Sequence, residues 1–256
     1  MDREYKEEGV IIAASSEMES LLPWWWYHYE RHSHYPVVFV DLGVSLAARS
    51  FLQDKVDILP FTQNPQAKKP DPIQKELATQ YGIDTECVRT HWFKKPSILA
   101  MSPFTKSVWL DLDCEVRGDI SPLFSFCSTP HGIALAIDLH ASLKKILEWH
   151  EKKDGPLPVT FNSGVICYHK DSTLIRQWLD ECKHNSALYL GDQDALSACI
   201  AKQKKCITLL PDMMNWSYTQ GDNNKARIMH WHSKQGKEHI AQQTLLLQKM
   251  GWIEVL

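Results

Sequence analysis

The sequence has no excess of positive charge: 28 Lys and Arg are set against 31 Asp and Glu over 256 residues, a net charge of −3. The basic pairs Lys68-Lys69, Lys94-Lys95, Lys152-Lys153 and Lys204-Lys205 are scattered, so no electrostatic footprint for nucleic acid is present. The seven cysteines are odd in number, dispersed and free of any C-x-x-C pair. That argues against a disulfide framework or a zinc site and suits a reducing compartment. No apolar run approaches the ~18 residues that a membrane span needs. The opening M-D-R-E-Y-K-E-E is charged and mixed in sign, unlike a secretory signal, and a cytoplasmic protein is expected. Internal repeats, low-complexity segments and clear linkers are also missing. With 44% hydrophobic and 23% charged residues, residues 1–256 read as a single α/β domain with a substantial core.

What is there is alternation. A strand is expected at 9–14, a helix at 18–31, and a strand from Pro36 to Asp41, together a βαβ unit. Ser45 can cap a helix to residue 54, and 56–59 is a short strand stopped by Pro60. Residues 61–72 hold three X-Pro steps and read as a loop. Asp71-Pro72 fit the start of a helix to residue 81, and a further helix covers 96–101. Beyond these come a strand at 133–137 ending at Asp138, a helix at 141–150 and a Gly/Pro loop at 154–158. A strand at 165–168 follows Phe161-Asn162-Ser163-Gly164. Helices are expected from Asp171 to 182, from Asp192 or Gln193 to 202, and over 238–250, with extended pieces at 207–210 and 228–232. The alternation predicts a mostly parallel central sheet.

One stretch organises the rest. Val108, Trp109 and Leu110 form a short apolar run that stops at two carboxylates, Asp111 and Asp113. Side chains two apart on an extended chain share a face, so both acids are expected to project from the C-terminal edge of a strand, where open α/β sheets bind ligands. Two such acids repel unless a cation lies between them, and a hard divalent ion, Mg²⁺ or Mn²⁺, is the simplest solution. A bare D-x-D also occurs in solvated loops. Here a hydrophobic strand precedes it, and Gly118, Pro122 and Leu123-Phe124 return the chain to the core. The haloacid-dehalogenase phosphatases also place D-x-D after a strand, but they want Thr or Val where this chain has Glu115.

Four blocks then resemble, in order, the retaining glycosyltransferases of the GT-A fold, the family that includes glycogenin and bacterial lipopolysaccharide galactosyl- and glucosyltransferases. They are Lys95-Pro96-Ser97-Ile98-Leu99 running on to W-L-D-L-D, then F-N-S-G at 161–164, G-D-Q-D at 191–194, and Met229-His230-Trp231-His232 with Lys234, Gly236 and Lys237. The resemblance implies a nucleotide-sugar donor, usually a UDP-sugar, and Mn²⁺ or Mg²⁺. It implies that Asp111 and Asp113 hold the metal on the diphosphate and that His230 completes the metal shell, with His232 as competitor. Lys95 matches a lysine reaching the donor, and Asn162, Ser163 and Gly164 match the segment against the donor sugar. Asp192 and Gln193 match the acid-amide pair beneath the anomeric carbon, and Lys234 or Lys237 the lysine on the diphosphate. Residues from about 9 to 113 would form a nucleotide-binding half and those from about 114 to 256 a half for donor sugar and acceptor. The acceptor is open among glycan, lipid-linked sugar, protein and small molecule. The chain departs from the family where its first strand ends A-A-S-S-E, and where its fourth block reads H-W-H-S-K-Q-G-K in place of H-F-x-G-x-x-K-P-W.

The chemistry wants these residue types. Breaking a sugar–phosphate bond leaves new negative charge on a diphosphate, which a divalent cation and nearby lysines stabilise. Asn162 can both donate to and accept from sugar hydroxyls. Retention follows either from a protein nucleophile, with Asp192 the candidate ahead of Gln193, or from attack on the face that the diphosphate leaves. Asp192 also suits a plain helix N-cap. Asp138 ends a strand at the ligand edge and can accept a sugar hydroxyl; Asp41 is a weaker candidate of the same kind. Two other readings keep the fold: a nucleotide-sugar-binding protein without transfer, and a sugar nucleotidyltransferase. The latter usually carries a Gly-rich loop after the first strand, and A-A-S-S-E-M-E-S has no glycine. Of Trp24, Trp25 and Trp26, successive helical positions ~100° apart, two are expected in the core. The His-rich run 27–35 could suggest metal, but no other ligand cluster in the sequence supports it.

Overall fold

The computed structural model describes residues 7–62, 68–70, 72, 75, 87–129, 132–139, 159–203 and 207–256. The first half begins β1 (Glu8–Ala14), α1 (Leu22–Glu30), β2 (Val37–Asp41), α2 (Leu46–Leu52) and β3 (Asp57–Pro60). Every residue of β2 is buried, as a strand covered on both faces requires. A 3₁₀ turn at Glu19–Leu21 leads into α1, and Pro23 sits in its first turn, where a missing N–H breaks no helical bond. Ser45 caps α2 by accepting from the Ala48 amide at 3.2 Å. Pro60 belongs to β3 rather than stopping it, which an edge strand tolerates.

The chain continues through α3 (Cys87–Trp92), α4 (Lys95–Leu99), β4 (Lys106–Leu110), β5 (Cys114–Val116), α5 (Pro122–Cys127), β6 (Ile133–Ile137) and β7 (Phe161–His169). It ends with α6 (Thr173–Asn185), α7 (Asp192–Gln203), β8 (Thr208–Leu209), β9 (Trp216–Ser217), β10 (Ile228–His230) and α8 (Ser233–Lys249). The central sheet has seven strands in the order β3-β2-β1-β4-β7-β6-β8. Only β7 runs against its neighbours, pairing antiparallel with β4 and β6. The mostly parallel α/β architecture is therefore as expected. A second sheet of three strands, β5-β10-β9, lies apart from it.

Alternation splits the core between the two faces of the large sheet. Val10, Ile12, Val108 and Leu110 join one cluster with Trp24, Trp25, Phe39 and Phe124. Ile11, Trp109, Leu135 and Ile166 join the other with Phe93, Trp178 and Leu196. Two of the three consecutive tryptophans are thus core. Trp25 stacks on Tyr29 with centroids 4.7 Å apart, while half-buried Trp26 donates to Glu30 at 2.7 Å. In the His-rich run, His28 lies 3.5 Å from Glu115, and among the described residues the run joins no cluster of metal-type ligands.

Three expectations need correction. The F-N-S-G block lies inside β7, not before it: beyond a register shift at Leu135/Ala136, Asn162 pairs with Ala136 and Phe161 with Ile137. Gly164 is tolerated inside the strand because another group closes on the backbone there. The helix after 171 is led by Ser172, whose side chain makes no cap bond. α8 starts at Ser233, five residues before the expected 238. Its first turn has no apolar periodicity and contains Gly236, where an added Cβ would sit 1.9 Å from the Trp231 carbonyl oxygen. The expected helices at 71–81 and 141–150 and the loop at 154–158 lie outside the described residues, wholly or for the most part.

Candidate active site

The antiparallel course of β7 carries F-N-S-G to the edge where the parallel strands β1, β4 and β6 end. Asp111 directly follows β4, and its amide donates to the Gly164 carbonyl at 2.9 Å. Asp111 and Asp113 do not share a face through strand alternation, as the sequence suggested. They flank a tight turn closed by Cys114 N–H to Asp111 O at 2.9 Å. The turn still brings them together beside His230, whose Nε2 lies 3.2 Å from Asp113 Oδ1 and 4.0 Å from Asp111 Oδ2. His230 arrives on β10, paired antiparallel with β5 so that it stands opposite Cys114. Its ring fills the place of a Gly164 side chain: a Cβ there would meet His230 Cε1 at 2.2 Å. Only glycine fits this strand position.

The buried Asp113 carboxylate is ionised. Burial would raise its pKa, but His230, Lys237 at 3.5 Å and Lys95 outweigh that and hold it well below the carboxylate range. Its Oδ1 is buried with no aligned hydrogen bond despite the imidazole nitrogen 3.2 Å away. Such an orphan is expensive in a protein interior. An anionic oxygen and an imidazole nitrogen facing one another unbonded fit a cation between them. Ligand atoms of Asp113, Cys114 and His230 lie within 4.8 Å of one another, and Asp111 borders the group. His232 stands apart from the acids. It lies beyond β10 at the head of α8, its Nε2 is 2.7 Å from Ser217 Oγ, and burial with the neighbouring His230 pushes its pKa down to about 4.

Lys95 ties the acid pair to the G-D-Q-D block. Its ammonium is buried 3.0 and 3.2 Å from the two Asp111 oxygens, 3.1 Å from both the carbonyl and the hydroxyl of Ser163, and 3.6 Å from Asp192. Burial opposes its charge, and Asp111 and Asp192 outweigh the burial, so its pKa is raised. Asp192 opens α7, accepts from Ser163 Oγ at 3.1 Å, and has its pKa raised by burial against the pull of Lys95. Gln193 donates to Asp138 at 3.0 Å. Asn162 Oδ1 accepts from the Gly164 amide at 2.8 Å and from Asn215 at 2.9 Å. Of the two late lysines, Lys237 reaches Asp113 at 3.5 Å, whereas Lys234 is 91% exposed and 4.0 Å from Glu238. Asp41 binds the turn amides of Gly43 and Val44 and pairs with Arg49 at 2.7 Å.

Several partners were not legible in the sequence. Trp109 donates to Asp111 at 2.7 Å. Cys114 stands with Asp113 and His230 in a group that could hold an ion. Arg89, almost fully buried, donates to the carbonyls of Lys68, Ser186, Tyr189 and Leu190 at 2.5–3.1 Å, bracing the chain just before Asp192. None has a motif; only the apolar spacing W-L-D hinted at Trp109.

No protein-family model matches the chain, and no curated protein matches its sequence. Solved structures do. The galactosyltransferase LgtC in complex with donor and acceptor sugar analogs is 16% identical, with 93% of this chain and 95% of that chain covered and a TM-score of 0.60. Mouse xyloside xylosyltransferase 1 is 16% identical over 88% of this chain and 97% of that one, TM-score 0.55. The glycosyltransferase GlyE of Streptococcus pneumoniae TIGR4 is 15% identical over 97% of this chain and 64% of that one, TM-score 0.60. This chain has the GT-A fold of these glycosyltransferases, as the four blocks implied.

Proposed function

We propose that the chain is a metal-dependent glycosyltransferase that moves a hexose from a nucleotide sugar, a UDP-sugar, to a glycan, lipid-linked or protein acceptor with retention of configuration. The observation that carries the reading is the continuous set Asp113–His230–Asp111–Lys95–Ser163–Asp192, in which a cation-ready acid pair and a buried acid share one lysine. Asp111, Asp113 and His230 would hold the metal, Mn²⁺ or Mg²⁺, which supplies positive charge to the diphosphate as it leaves. Lys237 lies on the same side and adds charge there. Asn162, Ser163 and Gly164 border the donor sugar, and Asp138, held by Gln193, accepts a sugar hydroxyl. Asp192, buried and beside a lysine, stabilises positive charge on the sugar ring or attacks it. On this reading residues from about 9 to 113 take the nucleotide and those from about 114 to 256 the sugar and acceptor. The cytoplasm is the compartment proposed for this reaction; no helix among the described residues is long and apolar enough to cross a membrane.

Release of UDP from UDP-hexoses with Mn²⁺ tests this. Wild type should release UDP with at least one donor, and Asp192→Asn should slow release by roughly 100-fold or more. Nucleotide and metal binding without release from any donor would favour a non-catalytic binder. Nucleotide exchange onto a sugar phosphate would favour a nucleotidyltransferase.

A further inference from the structure

The outward face of α8 changes character along its length. The inward stripe is Gly236, Ile240, Gln243 and Leu247, at helical spacing. Gly236 and Ile240 are buried, Gln243 accepts from Trp24 at 2.9 Å, and Leu247 packs against the core. The opposite stripe begins polar, as a solvated face should, with exposed Lys234, Gln235 and Glu238. It then runs through exposed Ala241 and Gln242 to Leu245, Leu246, Lys249 and Met250. Leu245, Leu246 and Met250 are each more than half exposed. So is Trp252 just beyond them, whose ring stacks on Tyr27 of α1 with centroids 6.1 Å apart. These four side chains leave about 500 Å² of mainly apolar surface in water. Other exposed apolar residues, Leu46, Leu188 and Leu209, stand singly on separate elements and need no partner.

We propose that this face binds a second copy of the chain, the two α8 helices packing antiparallel about a two-fold axis near Gln243 and Thr244. A two-fold contact must be self-complementary, and this face is. Glu238 and Lys249 are exposed at its opposite ends. Antiparallel packing sets Glu238 of each copy against the partner's Lys249 at both ends. In that register Leu246 comes level with the partner's Ala241 and Leu245 with the partner's Gln242, so large side chains meet a small or flexible one. A parallel pair would instead set Glu238 against Glu238, which repels. The apolar patch with Glu238, Gln242 and Lys249 around it reaches about 800 Å² per copy, the size of a standard stable interface. A lipid surface fits less well. Lys249 and Arg31 are balanced by exposed Glu254 and Glu30, leaving none of the basic surplus that an anionic bilayer attracts.

Sedimentation equilibrium of the full chain over about 1–100 µM reads this directly. Wild type should show twice the mass of one chain at the upper concentrations. Leu246→Glu should weaken the dimer by roughly tenfold or more. Glu238→Lys and Lys249→Glu should each do the same by placing like charges together, and the double exchange of both should restore the dimer to within about threefold of wild type. Far-ultraviolet circular dichroism checks that each variant folds, and the wild-type mass decides even where a variant does not. A wild type that stays monomeric throughout overturns the proposal. So does a dimer that survives in folded Leu246→Glu, which places the contact elsewhere. A double exchange that stays as weak as the single ones overturns the antiparallel pairing. Monomeric wild type that sediments with phosphatidylcholine–phosphatidylserine vesicles overturns it in favour of a lipid surface.

Discussion

At the scale of single residues, Lys95 carries the largest electrostatic burden. Its ammonium is buried within 3.6 Å of Asp111 and Asp192, and removing it leaves those carboxylates without their counter-charge. Breaking a buried pair costs about 3–5 kcal/mol, and the partly exposed Asp111 puts this case at the lower end. Lys95→Met should therefore lose roughly 3 kcal/mol in urea unfolding, and adding Asp192→Asn should restore part of it. An unchanged midpoint would show that solvent already screens the cluster. The residue types of this cluster were readable, because D-x-D, N-S-G and G-D-Q-D are local patterns. Which of two candidates points inward was not. That His230 rather than His232, and Lys237 rather than Lys234, stands next to Asp113 depends on where β10 stops and α8 begins, which no periodicity reveals.

At the scale of elements, the site depends on close approaches that only glycine allows. Gly164 lets β7 pass the His230 ring, and Gly236 lets the first turn of α8 fold against the Trp231 carbonyl. Gly164→Ala should displace His230 and weaken metal binding with a loss of roughly 1–3 kcal/mol in stability. Gly236→Ala meets backbone rather than a movable side chain and should cost at least as much, while shifting Lys237 away from Asp113. Calorimetric metal titration and urea unfolding of each variant would check both effects. In the sequence Gly164 matched the segment against the donor sugar and Gly236 the fourth block, and a missing side chain does not reveal which neighbour it admits. The reversal of β7 was hidden for a related reason: a strand buried on both faces reads the same in either direction. Arg89 belongs at this scale as well. Its guanidinium joins α3 to the segment before α7 through three carbonyls and to Lys68 through a fourth, and a hydrogen bond to a charged group contributes about 1.5–3 kcal/mol net. Arg89→Met should destabilise by at least roughly 2 kcal/mol and slow turnover through Asp192 without touching the metal ligands.

At the scale of the whole molecule, stability should fall on mild acidification. His28, half-buried on α1 facing Glu115 of β5, has its pKa pushed down to about 4, first by burial, with Glu115 opposing and Arg117 assisting. The unfolded chain takes up this proton near the ordinary histidine value of about 6.5. Between those two values the unfolded state binds more protons, so stability is complete above about pH 6.5 and declines as pH drops towards about 4. Unfolding free energy should drop by roughly 4 kcal/mol from about pH 7 to about pH 5, about half from His28 and half from His232, whose pKa is likewise pushed down to about 4, and His28→Gln should halve that step. A step of the same size in the variant would assign it to other groups.

The fold was legible because alternation of elements and four ordered blocks survive where overall identity to solved structures is about one residue in six. The proposed function rests on one cation, which Asp111, Asp113 and His230 would share and which would anchor a nucleotide diphosphate. Calorimetry of UDP binding with and without Mn²⁺, on wild type and Asp113→Ala, measures this most directly. Wild type should bind UDP far more tightly when Mn²⁺ is present, and the variant should bind it weakly and equally in both conditions. UDP affinity that ignores the metal in wild type, or that keeps its metal dependence in folded Asp113→Ala, would contradict the account.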